Sequence, residues 1–94
     1  MDTEIVKITE ENSQENLDRA GAVIRAGGLV VFPTETVYGL GANALDPEAL
    51  SKIFIAKGRP SDNPLIIHVC DLQQLVKLTD NVSEIAQKLM NKFW

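Results

Sequence analysis

Apolar residues recur along this chain in short blocks whose spacing changes from strand-like to helix-like. Glu4-Ile5-Val6-Lys7-Ile8 is rich in β-branched residues and is predicted as a short strand. The polar stretch Thr9 to Ser13 follows. Leu17, Ala20, Val23 and Ile24 then recur at helical spacing, with Asn12 or Ser13 as the N-cap and Gly27-Gly28 as the stop. Leu29-Val30-Val31-Phe32 is an unbroken apolar run, as expected of a strand buried on both faces, and Pro33 closes it.

A loop from Thr34 to Asn43 separates this run from Asp46-Pro47, where an N-cap acid precedes proline at the first helical position. Leu50, Ile53 and Phe54 supply the buried face of that helix, and Gly58 and Pro60 end it. Leu65 to Val69 reads as the next buried strand. Asp71 caps a short helix carrying Leu72, Leu75 and Val76, and a last helix, beginning near Asp80 to Ser83, buries Ile85, Ala86, Leu89 and Phe93. The order β-α-β-loop-α-β-α-α predicts an α/β fold whose sheet has at least some parallel strands. No repeat or linker divides residues 1–94. The chain closes on Phe93-Trp94 without a polar tail, which reads as a stop within a longer sequence.

Composition narrows the picture. A 94-residue chain, 45% hydrophobic, suits one small folded domain. Its formal charge of -4 argues against broad attraction to nucleic acid or acidic lipid. Six acids and one lysine fall in the first 18 residues, whereas Lys52, Lys57 and Arg59 face only Asp62 between Ala49 and Cys70. Such a local cationic spot fits a small anion better than a polymer. A single cysteine, Cys70, allows no internal disulfide and points to a reducing, cytoplasmic setting. No apolar run approaches the roughly 18 residues of a membrane span, and the acidic opening residues do not read as a secretory signal.

Candidate chemistry gathers between Leu29 and Val69. Gly39-Leu40-Gly41-Ala42-Asn43-Ala44 loosely matches a dinucleotide fingerprint, but that fingerprint needs the glycines to turn directly from strand into helix. Here Pro33 to Tyr38 intervene, and the helix starts afresh at Asp46. Thr34, Thr36 and Tyr38 alternate after the apolar run, an arrangement that would set three hydroxyls on one face to line a polar pocket, with Glu35 on the other. Equally, they can be turn hydroxyls satisfied by backbone. Lys57-Gly58-Arg59 ends a helix, where cations favour the macrodipole. The same residues can hold phosphate: Arg59 offers a planar fork, Lys57 a point charge, Gly58 close backbone approach, and Asn63 a two-way amide. His68 lies among aliphatics with Cys70 two positions on. A Cys-His nucleophile lacks a third orienting residue there, and Cys70 reads as a small buried hydrophobe.

Taken together, Phe32-Pro33-Thr34-Glu35-Thr36-Val37-Tyr38-Gly39-Leu40-Gly41 and Lys57-Gly58-Arg59-Pro60 through Asn63-Pro64-Leu65-Ile66-Ile67-His68 closely resemble the YrdC-like family of threonylcarbamoyl-AMP synthases. The resemblance runs from about Ala22 to Trp94 and covers the N-terminal half of such a domain. It implies a twisted mixed sheet of the YrdC-like type, here an incomplete N-terminal part of a single domain over residues 1–94. It also implies synthesis of L-threonylcarbamoyladenylate from ATP, bicarbonate and L-threonine with release of pyrophosphate, Mg²⁺ accompanying ATP. Partner proteins then transfer the threonylcarbamoyl group to tRNA.

By motif position, Thr36 and His68 correspond to family contacts with L-threonine, and Lys57, Arg59 and Asn63 to contacts with ATP. Lys57 and Arg59 would carry the catalytic charge compensation. The family's later Ser-x-Asn signature lies beyond this stretch, and Ser61-Asp62-Asn63 is not its equivalent. Half a sheet leaves apolar edges open, which favours homo-oligomers through the sheet edge, and these residues alone are not expected to complete the reaction. Two other readings stand beside this one: a YrdC-like module that binds nucleotide or RNA without catalysis, and the carbamoyl-adenylating domain of a hydrogenase-maturation protein.

Overall fold

Asp46 starts the helix that carries the interior of the first part of the molecule. In the computed structural model, which describes residues 2–58, 60 and 64–94, its Oδ1 accepts from the N–H groups of Glu48 at 3.1 Å and Ala49 at 3.3 Å. Pro47 occupies the first helical position, where its missing N–H costs nothing. The chain forms two compact units, Met1–Pro64 and Leu65–Trp94. The first holds α1 (Ser13–Arg25), β1 (Val30–Phe32), β2 (Gly39–Gly41) and α2 (Pro47–Lys57). The second holds α3 (Leu72–Leu78) and α4 (Glu84–Phe93).

Helix α1 ends on the predicted glycines, and each is there for its own reason. Gly27 takes φ +88 and its N–H bonds back to the Ile24 carbonyl at 3.0 Å, while the Gly28 N–H reaches the Val23 carbonyl at 2.9 Å. These are the two bonds of a Schellman stop. A Cβ on Gly28 would lie 2.7 Å from Val23 Cγ1, so only glycine lets the chain turn this closely. Helix α2 is fastened to this corner: Lys52 Nζ donates to the Gly27 carbonyl at 2.8 Å. Lys52 therefore belongs to the scaffold and not to a cationic spot. Among the described residues, the buried hydrophobic side chains are Ala49 and Ile53, one turn apart on α2, with Leu50 and Phe54 half-buried beside them.

The α/β class holds, but the strands are not those the sequence predicts. The sheet among the described residues is two-stranded and antiparallel, with Val30 opposite Gly41, Val31 opposite Leu40 and Phe32 opposite Gly39. No parallel pair occurs among them. Residues 4–8, predicted as a strand, form none, and Ile5 is 94% exposed. Leu65 to Val69 likewise form no strand, and all but Val69 are exposed. The reason is common to both. An extended segment becomes a strand only when a neighbour takes up its N–H and C=O groups, and among the described residues none pairs with either segment. The N-terminal segment is held by side chains instead: Arg19 pairs with Glu4, and Asn12 Nδ2 donates to the Lys7 carbonyl at 3.3 Å.

Caps differ in how far they follow expectation. Asn12 occupies the N-cap position of α1, yet its Oδ1 turns back to accept from the Thr9 N–H at 2.7 Å and caps nothing in the helix. Asp71 caps α3 by accepting from the Gln74 N–H at 2.8 Å, and Gln74 Oε1 returns to accept from the Cys70 N–H at 2.7 Å. Ser83 caps α4 through the Ala86 N–H at 3.1 Å. The predicted buried face of α4 is not buried: Ile85, Leu89 and Phe93 are 72%, 54% and 72% exposed, and Ala86 is half-buried. Cys70 is also exposed, against its reading as a buried hydrophobe, because the segment that carries it joins no sheet.

Candidate functional site

The hydroxyl-bearing loop is the best-defined candidate. It spans Pro33 to Tyr38, joins β1 to β2, and is fixed at both ends by the Phe32–Gly39 pair. The Phe32 ring covers both glycines of β2. A Cβ on Gly39 would stand 2.9 Å from Phe32 Cζ, and one on Gly41 3.0 Å from Phe32 Cε1. Glycines two positions apart share one face of a strand, so together they form the flat seat on which the ring lies. Gly39-Leu40-Gly41 is therefore a strand under an aromatic ring, not a phosphate-binding turn.

Within the loop, bends at residues 35–37 replace the expected extended run. They nevertheless bring Thr34 and Thr36 together, with their hydroxyl oxygens 3.4 Å apart. Thr34 Oγ1 accepts from the Thr36 N–H at 3.2 Å and donates to the Val37 carbonyl. Thr34 thus behaves as the backbone-satisfied turn hydroxyl that the sequence left open as an alternative. Thr36 and Tyr38 are exposed, Tyr38 to 74%. The Val37 carbonyl is a member of this loop that no side-chain pattern could announce.

Lys57 is the last residue of α2 and is exposed, in the last turn where a cation meets the helix dipole. Gly58 ends the helix in the left-handed region, φ 66, with nothing within 4 Å of where a Cβ would stand. Backbone geometry alone accounts for that glycine. Arg59 and Asn63, the other two phosphate-site candidates, lie outside the described residues. His68 belongs to the second unit and is exposed. A shallow hollow in that unit, walled by Leu72, Gln73, Met90 and Trp94, contains none of the candidates.

Among the described residues no three His, Cys, Asp or Glu side chains gather as a metal-binding group. No described helix is long and apolar enough to cross a membrane.

Residues 22–94 match the Sua5/YciO/YrdC family model, described as "Telomere recombination". The chain is 51% identical over 92 residues to threonylcarbamoyl-AMP synthase of Pyrococcus abyssi, covering 98% of this chain and 27% of that protein. It is 52% identical over 91 residues to the Bacillus subtilis threonylcarbamoyl-AMP synthase, covering 95% and 26%. A crystal structure of Pyrococcus abyssi Sua5 in complex with L-threonine superposes with a TM-score of 0.80 at 54% identity, over 86% of this chain and 24% of that one. The chain spans about a quarter of the length of these relatives. Two long motif phrases, a family match that takes in both, and the shared backbone agree: the chain belongs to the Sua5/YciO/YrdC family.

Proposed function

We propose that this chain supplies part of a site at which L-threonine, bicarbonate and ATP are joined to give L-threonylcarbamoyladenylate. The observation that carries the reading is the 54% identity to a Sua5 structure complexed with L-threonine, over a segment that contains the hydroxyl loop. In this reading Thr36 and His68 bind L-threonine, Tyr38 lines the pocket while Thr34 supports Thr36 from within the loop, and Lys57, Arg59 and Asn63 bind ATP. Two balanced steps follow. The threonine amine bonds to the carbon of bicarbonate, and water leaves, giving a carbamate. A carbamate oxygen then bonds to the α-phosphorus, and the bond to the β-phosphate breaks, releasing pyrophosphate.

No covalent enzyme intermediate is needed, so the protein's work is positioning and charge compensation. Lys57 and Arg59 offset the charge that builds on the phosphates. Mg²⁺ enters with ATP as part of the Mg-ATP substrate. The family's product is consumed in tRNA threonylcarbamoylation, so the setting is cytoplasmic and the partners are the proteins that transfer the group to tRNA. Residues 1–94 are read as the N-terminal part of one YrdC-like domain.

The test is a chimera in which this chain replaces the corresponding segment of the Pyrococcus abyssi relative. Pyrophosphate release is expected to require both bicarbonate and L-threonine, and to fall at least about a hundredfold in Lys57→Ala or Arg59→Ala, in the range for lost transition-state donors. Release that ignores L-threonine would sink the reading.

A further inference from the structure

We infer that Thr34 is a positioning residue whose hydroxyl sets the hydrogen-bond polarity of Thr36, so that Thr36 presents an acceptor to a ligand amino group. The inference rests on the reading of Thr36 as a contact to L-threonine. A threonine hydroxyl has one proton and two lone pairs. The Thr34 proton goes to the Val37 carbonyl, and one of its lone pairs takes the Thr36 N–H at 3.2 Å. Toward the Thr36 hydroxyl, 3.4 Å away, Thr34 can then only accept. In a hydrogen bond between the two hydroxyls Thr36 is then the donor, and the Thr36 lone pairs remain for an outside donor.

The chain of polarity runs from ligand N–H to Thr36 to Thr34 to the Val37 carbonyl. Both ends of the loop are anchored, because Phe32 pairs with Gly39 and its ring lies on Gly39 and Gly41. The orientation is thus passed on to Thr36 and not lost in loop motion. A ligand amine is favoured at this point over a carboxylate, which has no proton to donate.

Thr34→Val removes the hydroxyl at nearly constant volume, and Thr34→Ser keeps it. Three readings are taken on each variant and the parent chain: hydrogen exchange of the Thr36 amide without ligand, binding of L-threonine, and binding of 3-hydroxybutyrate, which lacks the amine. In Thr34→Val the Thr36 amide is expected to exchange about threefold to tenfold faster, as for one lost hydrogen bond, with L-threonine binding weakened by a like factor. 3-Hydroxybutyrate binding stays as in the parent, and Thr34→Ser restores the amide exchange and the L-threonine binding.

An unmoved Thr36 amide in Thr34→Val overturns the inference, as does equal weakening of both ligands, which marks Thr34 as a general structural or direct contact. Should Thr34→Val fail to fold, the parent chain still decides: a Thr36 amide that exchanges at the unstructured rate overturns the strut. A parent chain that ignores L-threonine while its Thr36 amide is protected overturns the functional reading and the ligand polarity with it, but leaves the strut standing.

Discussion

Phe32 and Gly39 are the pair on which the loop depends. The ring occupies the space a side chain at residue 39 or 41 would need. Gly39→Ala is therefore expected to push the ring aside and lower stability by about 1 kcal/mol, at the low end for overpacking because a side chain and not backbone must give way. In a Phe32→Leu background the same change should cost markedly less, since the clashing ring edge is gone. Thermal melts of the four proteins measure this coupling, and additive losses would contradict it. Glycine at every second position carries no strand propensity, and its partner aromatic lies across a loop. That is why this stretch reads as a loop in the sequence and becomes β2 in the structure.

At the scale of elements, the helix ends were the legible part. Asp46-Pro47, Asp71 and the Gly27-Gly28 stop all lie where their local chemistry puts them. A cap is a contact between near neighbours, so sequence contains both partners. Asp46→Ala is expected to lower stability by about 1 kcal/mol through the loss of two capping bonds. Lys52→Met should cost about 1 kcal/mol as well, by freeing the Gly27 carbonyl, without altering a ligand contact. Denaturant midpoints check both, and unchanged midpoints would remove Asp46 or Lys52 from the scaffold. Strands at residues 4–8 and 65–69 failed for the opposite reason. Their apolar pattern is local, but the partner that would turn pattern into ladder is not.

For the molecule as a whole, apolar exposure dominates. Ile85, Leu89 and Phe93 recur at four-residue spacing on α4 and stay in water, as does Ile66 at 86% exposure. Surfaces of this kind associate. The chain is expected to self-associate with rising concentration in sedimentation velocity, and Leu89→Glu to weaken that association by putting a charge in the stripe. A monomer at all concentrations would contradict this.

Of the candidate site, the residue types and their two motifs were legible, because a hydroxyl run and a Lys-x-Arg phrase are written locally. The division of labour inside the loop was not. Whether a hydroxyl is taken up by its own backbone depends on bends that no spacing encodes, as Thr34 shows.

The assignment of Lys57, Arg59 and Asn63 to ATP and of Thr36 and His68 to L-threonine is tested most directly by a two-dimensional amide NMR titration of this chain, first with Mg-ATP and then with L-threonine. ATP is expected to shift the first three amides and L-threonine the other two. Dispersed spectra in which these amides ignore both ligands, or in which the shifts gather at Leu72, Gln73, Met90 and Trp94 instead, would contradict it.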